Sequence, residues 1–131
     1  MAVQVKARYR EGISFELEIR GHRVVTDLPV DKGGNDAGPT PPELLVAALA
    51  SCTGVFAALF ARRNGLSPEG IEVEARADTA EGPTRLENFR VRVRIPGLPA
   101  ELEGKARAFI EACLVGQTLR RQNPIAVELT R

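Results

Sequence analysis

Two residues of this chain can act as sulfur nucleophiles, Cys52 and Cys113. A thiolate attacks electrophilic oxygen or sulfur, and a second thiol within reach can close the oxidised product to a disulfide. Their settings differ. Cys52 lies in the uncharged run 44–61 of TPPELLVAALASCTGVFAALFARR, whereas Cys113 closes the amphipathic stretch ELEGKARAFIEACLVGQTL. They stand far apart in sequence, so only the fold can bring them together. On the residues alone two readings stay open: a reactive thiol with a resolving partner, or two buried cysteines that merely pack.

The elements that carry Cys52 are well marked. Val3, Val5, Ala7 and Tyr9 share one face, as do Phe15, Leu17 and Ile19, which is the period of half-buried strands with a turn at Glu11-Gly12. Gly21 interrupts the pattern, and a third strand is expected over 22–27. LPVDKGGNDAGPT is dense in Gly, Pro, Asn and Asp and reads as a loop. Thr40, Pro41 and Glu43 then form a T-x-x-E capping box, opening a helix expected to run to about Arg63 and to stop at Asn64-Gly65. Cys52 stands about 16 Å along that helix from Pro41 at the standard rise. The helix dipole acts mainly in the first turn, and burial among apolar groups raises a thiol's pKa. A reactive Cys52 therefore needs a cation from elsewhere. Arginine suits best, because it stays charged when buried.

Beyond this helix two alternating strands are expected, joined at Glu81-Gly82-Pro83. Pairing Val73 with Val93 places Glu72 opposite Arg94 and Glu74 opposite Arg92. Leu102, Ala106, Phe109, Ile110 and Cys113 form the apolar stripe of a second helix, which turns Cys113 toward the core. A final strand, IAVEL, follows Asn123-Pro124. The order βββ-α-ββ-α-β is that of an α+β fold in a single domain, 1–131. The first helix is apolar or small on every side and must be buried all round. One chain of this size has difficulty surrounding it, so an obligate homodimer is expected, packed closely at Ala47, Ala48, Ala50 and Gly54.

Composition narrows the partners. The hydrophobic share of 44% and charged share of 27% are those of a soluble globular protein. A net charge of +1 points to neither a nucleic-acid nor a membrane partner. The run 44–61 is only at the lower limit for a spanning helix and carries Ser51, Cys52, Thr53 and Gly54 at its centre. The N-terminus has no apolar signal-peptide core, so a cytoplasmic protein is expected. No metal or other cofactor is expected: two distant cysteines and the lone His22 lack the ligand spacing of a zinc site.

Taken together, these residues resemble the OsmC/Ohr family of thiol-dependent peroxidases, in its general OsmC-like branch. The likeness covers nearly the whole chain. It is strongest in GGNDAGPTPPELLVAALASC, which is similar to the family's G-x-x-P-x-E-L-L segment leading to its peroxidatic cysteine; the element order and the second cysteine before T-L also agree. The resemblance implies an intertwined dimer, two long central helices wrapped by the sheets and active sites at the subunit interface. It implies that Cys52 is the peroxidatic cysteine, Cys113 the resolving one, and Arg10, in YREG, the catalytic arginine. The implied chemistry is thiol-dependent reduction of organic or small hydroperoxides in oxidative-stress defence. An external dithiol, often a lipoyl group in the family, would restore the thiols. Pro42 stands where the family has a glutamate. Glu43 is one position nearer the cysteine and half a turn away on an ideal helix, so it reads as a capping residue.

The remaining candidates have simpler expectations. His22 suits a strand-end hydrogen bond, Arg62 and Arg63 the helix dipole, and Arg120 and Arg121 a solvated surface pair. The alternative to an enzyme is a non-catalytic dimer of the same fold, binding a small apolar or acidic ligand at the subunit interface.

Overall fold

Alternation in the first third of the chain becomes a three-stranded antiparallel meander. β1 (Lys6–Glu11), β2 (Ser14–Ile19) and β3 (His22–Thr26) pair in sequence order. The computed structural model describes residues 2–131. Residues up to Val46 form one compact unit and Ala47–Arg131 a second. In the first, Tyr9 opposes Phe15 with the rings edge-on, 5.9 Å between centroids. The register shifts between Tyr9 and Glu11, so Arg10 has no cross-strand partner and sits at a bulge. Arg20 and Gly21 both take positive φ, the signature of a two-residue hairpin turn between β2 and β3. β3 stops one residue short of the expected 22–27. Asp27 leaves the ladder because its carboxylate gathers the backbone of the loop that follows.

That loop closes onto Asp27 and delivers the first helix. Asp27 Oδ1 accepts the Leu28 N–H at 2.8 Å, and Oδ2 accepts those of Asn35 and Ala37, both at 3.1 Å. A side chain at Gly34 or Gly38 would collide with the carbonyl of Leu28 or Val25, so the loop tolerates only glycine there. α1 runs Pro41–Arg63. Its capping box forms as expected: Thr40 Oγ1 accepts the Glu43 N–H at 3.2 Å, and Glu43 Oε1 accepts the Thr40 N–H at 2.8 Å. At the other end Asn64 Nδ2 donates to the Phe60 carbonyl, Gly65 turns left-handed, and the Leu66 N–H reaches back to the Ala61 carbonyl at 2.8 Å.

α1 buries one stripe in its own chain, Leu49, Thr53, Ala57, Phe60 and Ala61. Ala47, Ala48, Ser51 and Val55 on the other side remain exposed. The expectation of burial all round is therefore not met by one chain. By length and composition α1 could cross a bilayer. Its inner side packs on protein: Phe56 and Phe60 meet the Phe109 ring at 5.5 and 5.9 Å, and Gly54 lies beside Val73.

β4 (Glu72–Ala80) and β5 (Arg85–Arg94) pair in the expected register, Glu72 with Arg94, Val73 with Val93 and Glu74 with Arg92. A bulge follows between Arg76 and Asp78, and Asp78 takes a two-pronged ion pair from Arg90 at 3.0 and 3.1 Å. Two expectations are corrected in the last third. The second helix is not continuous: α2 (Glu103–Glu111) ends, Cys113 takes an extended backbone, and α3 (Leu114–Leu119) starts from it. Leu102 lies in the preceding 3-10 turn, Ala100–Leu102. The final strand is also missing, as residues 122–131 have no regular structure. Ile125, Val127 and Leu129 alternate as a strand should, but are 88%, 87% and 92% exposed. A strand exists only through its ladder, and this one finds no edge within the chain.

Candidate functional site

Cys113 owes its position to the break between α2 and α3. As the residue before the first turn of α3 it is buried, and its Sγ accepts the Gly116 N–H at 3.3 Å. Gly116 makes room for the sulfur, because a β-carbon there would come within 3.0 Å of Sγ. Beside the thiol opens a cavity of about 490 Å³. Its walls are Leu49 and Thr53 of α1, the inward face of β5 from Phe89 to Val93, and Ala106 and Ile110 of α2. Arg92, Arg107 and Arg120 also line it, with Glu103 and Glu111. An apolar space edged by guanidinium groups suits an organic molecule that carries an oxygen-rich or acidic group.

Cys52 sits on the shoulder of the buried stripe of α1. At 100° per residue it lies about 60° from Leu49 and 100° from Thr53, toward the exposed face. It is half-buried, and it is not among the residues that line the cavity, although Leu49 and Thr53 on the adjoining buried stripe are. Both thiols are free. The structure thus brings Cys113 against the helix face that adjoins Cys52, with no bond between them.

Arg10, the third expected residue, belongs to the first compact unit. Its Nη1 donates to Ser14 Oγ at 3.3 Å, and its Nη2 lies 3.9 Å from the exposed Glu11 carboxylate. Ser14 is the most deeply buried polar side chain of the unit, and its hydroxyl donates to the Glu11 carbonyl at 2.8 Å. Asp27 is buried as well; the N–H of Ala37, with those of Leu28 and Asn35, holds its carboxyl below the usual range, and the charge of Arg10 adds to this. Sequence reasoning passed over both residues. Ser14 shares the face of β2 that carries Glu16 and Glu18, opposite Phe15, Leu17 and Ile19, so alternation marks it as a solvated position and gives no sign of its burial.

The other candidates separate cleanly. Glu43 is held by its capping contacts to Thr40, which also lower its pKa. His22 opens β3 opposite Ile19 and is exposed. Arg63 stacks its guanidinium 5.2 Å over the Phe109 ring rather than only meeting the helix end. Arg120 and Arg121 are not an equivalent pair: Arg120 lines the cavity, whereas Arg121 donates to Gln117. Among the described residues no cluster of three His, Cys, Asp or Glu could hold a metal ion.

The family model described as OsmC-like protein matches residues 33–129, a span that contains α1, the β4–β5 hairpin, both cysteines and the exposed tail. The chain belongs to the OsmC-like family. Solved structures agree on the fold of this OsmC-like chain. A Psychrobacter arcticus protein, provisionally named for osmotic-stress induction and detoxification, superposes with a TM-score of 0.79 at 21% identity, over 90% of this chain and 88% of the other. An OsmC-like protein of Mycoplasma pneumoniae gives 0.77 at 17% identity, over 92% and 88%. An organic hydroperoxide resistance protein, OsmC, of Legionella pneumophila gives 0.64 at 20% identity, over 92% and 90%. No curated protein sequence matches the chain. The mixed α and β order expected from the sequence is therefore the OsmC-like fold, and the chain stands among proteins named for osmotic stress and hydroperoxide resistance. Cys52 and Cys113 fall within the matched span, whereas Arg10 precedes it.

Proposed function

We propose that this OsmC-like protein is a two-cysteine hydroperoxide reductase that works in the cytoplasm as a homodimer. The observation that carries the reading is the cavity at Cys113, walled by Leu49 and Thr53 on the face of α1 next to Cys52. The Cys52 thiolate attacks the distal oxygen of the hydroperoxide. The O–O bond breaks, the alkoxide takes a proton and leaves as an alcohol, and Cys52 becomes a sulfenic acid. Arg10 supplies the cation that favours the thiolate. The Cys113 thiol then attacks the sulfenic sulfur; an S–S bond forms and water leaves. An external dithiol, such as the lipoyl group of a lipoylated protein, reduces the disulfide by two exchanges and departs as its own disulfide. No step needs a metal or other cofactor.

Titration with tert-butyl hydroperoxide tests this reading. One equivalent is expected to remove both thiols and to yield an intramolecular Cys52–Cys113 disulfide in the peptide mass map. Cys52→Ser is expected to leave Cys113 unoxidised. Survival of both thiols under excess peroxide overturns the proposal. The three arginines at the apolar cavity favour one second reading, a non-catalytic dimer that holds a small apolar or acidic ligand. It requires inert thiols and a melting temperature that rises with a medium-chain carboxylate.

A further inference from the structure

We infer that Ser14 is the positioning residue for Arg10, through a buried hydroxyl whose proton is committed to the Glu11 carbonyl and whose lone pairs face the guanidinium. This rests on the reading of Arg10 as the cation that serves the reactive thiol.

The bulge in β1 deprives Arg10 of a cross-strand neighbour, so the ladder leaves its long side chain unfixed. Ser14 supplies what the ladder does not. It opens β2 directly across the turn, opposite Glu11, and is only 1% exposed. Its one proton goes to the Glu11 carbonyl at 2.8 Å, so toward Arg10 Nη1, at 3.3 Å, the oxygen can only accept. Burial keeps water from replacing it.

The identity of the acceptor also matters. A carboxylate in the place of Ser14 would neutralise the guanidinium and occupy its donors. A hydroxyl orients it and leaves the charge and the remaining N–H groups available. The nearby anions fit this division. Glu11 is exposed and lies 3.9 Å away, a weak contact. Asp27 is buried, but both its oxygens are taken by backbone N–H groups, so it acts on Arg10 through its field alone.

The test follows the rate of Cys52 oxidation by tert-butyl hydroperoxide across pH in the full chain. S14A is expected to slow oxidation at neutral pH by roughly tenfold, the scale of losing a hydrogen bond to a charged group. It is also expected to move the rate profile to higher pH, as R10A does. S14T and S14V have equal bulk and differ in the hydroxyl: S14T should stay within about threefold of wild type and S14V should follow S14A. The double variant R10A/S14A should be no slower than R10A. A purely structural Ser14 would lower the melting temperature of S14A and S14V yet leave the pH profile in place, and that result overturns the inference. So does equal behaviour of S14T and S14V. Should R10A itself keep the wild-type profile, the assignment of Arg10 falls, and Ser14 has nothing to position.

Discussion

The sulfur of Cys113 accepts the Gly116 N–H at 3.3 Å, and a β-carbon at Gly116 would stand only 3.0 Å from it, so the sulfur would have to shift. A resolving cysteine must leave its resting contact to attack a sulfenic acid, so its exact seat governs the second chemical step and not the first. G116A is expected to press on Sγ, while Leu49 at 3.8 Å is only in ordinary contact with the added methyl. Peroxide should then consume Cys52 at the wild-type rate, while disulfide closure slows by about tenfold, the size of effect that ångström-scale misplacement produces. Trapping with dimedone and mass spectrometry would show the sulfenic acid accumulating at Cys52; prompt disulfide formation in G116A would contradict this. At this scale the sequence was legible in part. The two thiols and the capping role of Glu43 follow from residue type and spacing. Ser14 and Asp27 do not, because their importance lies in which backbone groups the folded loop brings to them.

Among the elements, the loop from Asp27 to the start of α1 does the most with the least regular structure. It has few apolar groups, and three backbone N–H donors converge on one carboxylate. Those donors lower the pKa of Asp27 in the folded state. The stability this contributes is therefore fully present above the unfolded value, about pH 4, and is lost as pH falls through the depressed folded value. D27N keeps the shape but loses the charge and one acceptor. Its melting temperature is expected to lie roughly 5 °C below wild type at pH 7, and the gap should narrow toward pH 2. Parallel curves for the two proteins from pH 7 to pH 2 would remove Asp27 from this role. Elements governed by local chemistry, such as the α1 capping box and the Val73–Val93 register, were readable before the structure. The division between α2 and α3 was not: Cys113 continues the apolar stripe of α2, so periodicity carries on where the backbone does not.

At the scale of the whole molecule, two features stay unsatisfied in a single chain. One side of α1 leaves Ala47, Ala48, Ser51 and Val55 in solvent. The tail leaves Ile125, Val127 and Leu129 almost fully exposed, although the family match extends to residue 129. An apolar helix face and an alternating unpaired segment are both shapes that another polypeptide completes, the first by close packing of small residues and the second by adding a strand to a free sheet edge. In the proposed homodimer a second copy of the chain would cover both, and would give the final alternating segment the ladder it lacks here. Sedimentation of wild type at micromolar concentration is then expected to show a particle of two 14.2 kDa chains. Val55→Asp, which places a charge on the exposed face of α1, and the pair Val127→Asp with Leu129→Asp should each raise the dissociation constant by at least tenfold, since each buries an unpaired carboxylate in the dimer. The two sites report different things. A dimer weakened only by the α1 change is a helix-packed pair with a free tail, and a dimer weakened only by the tail changes is strand-linked. A wild type that sediments as one chain leaves the exposed faces unexplained and rules the dimer out.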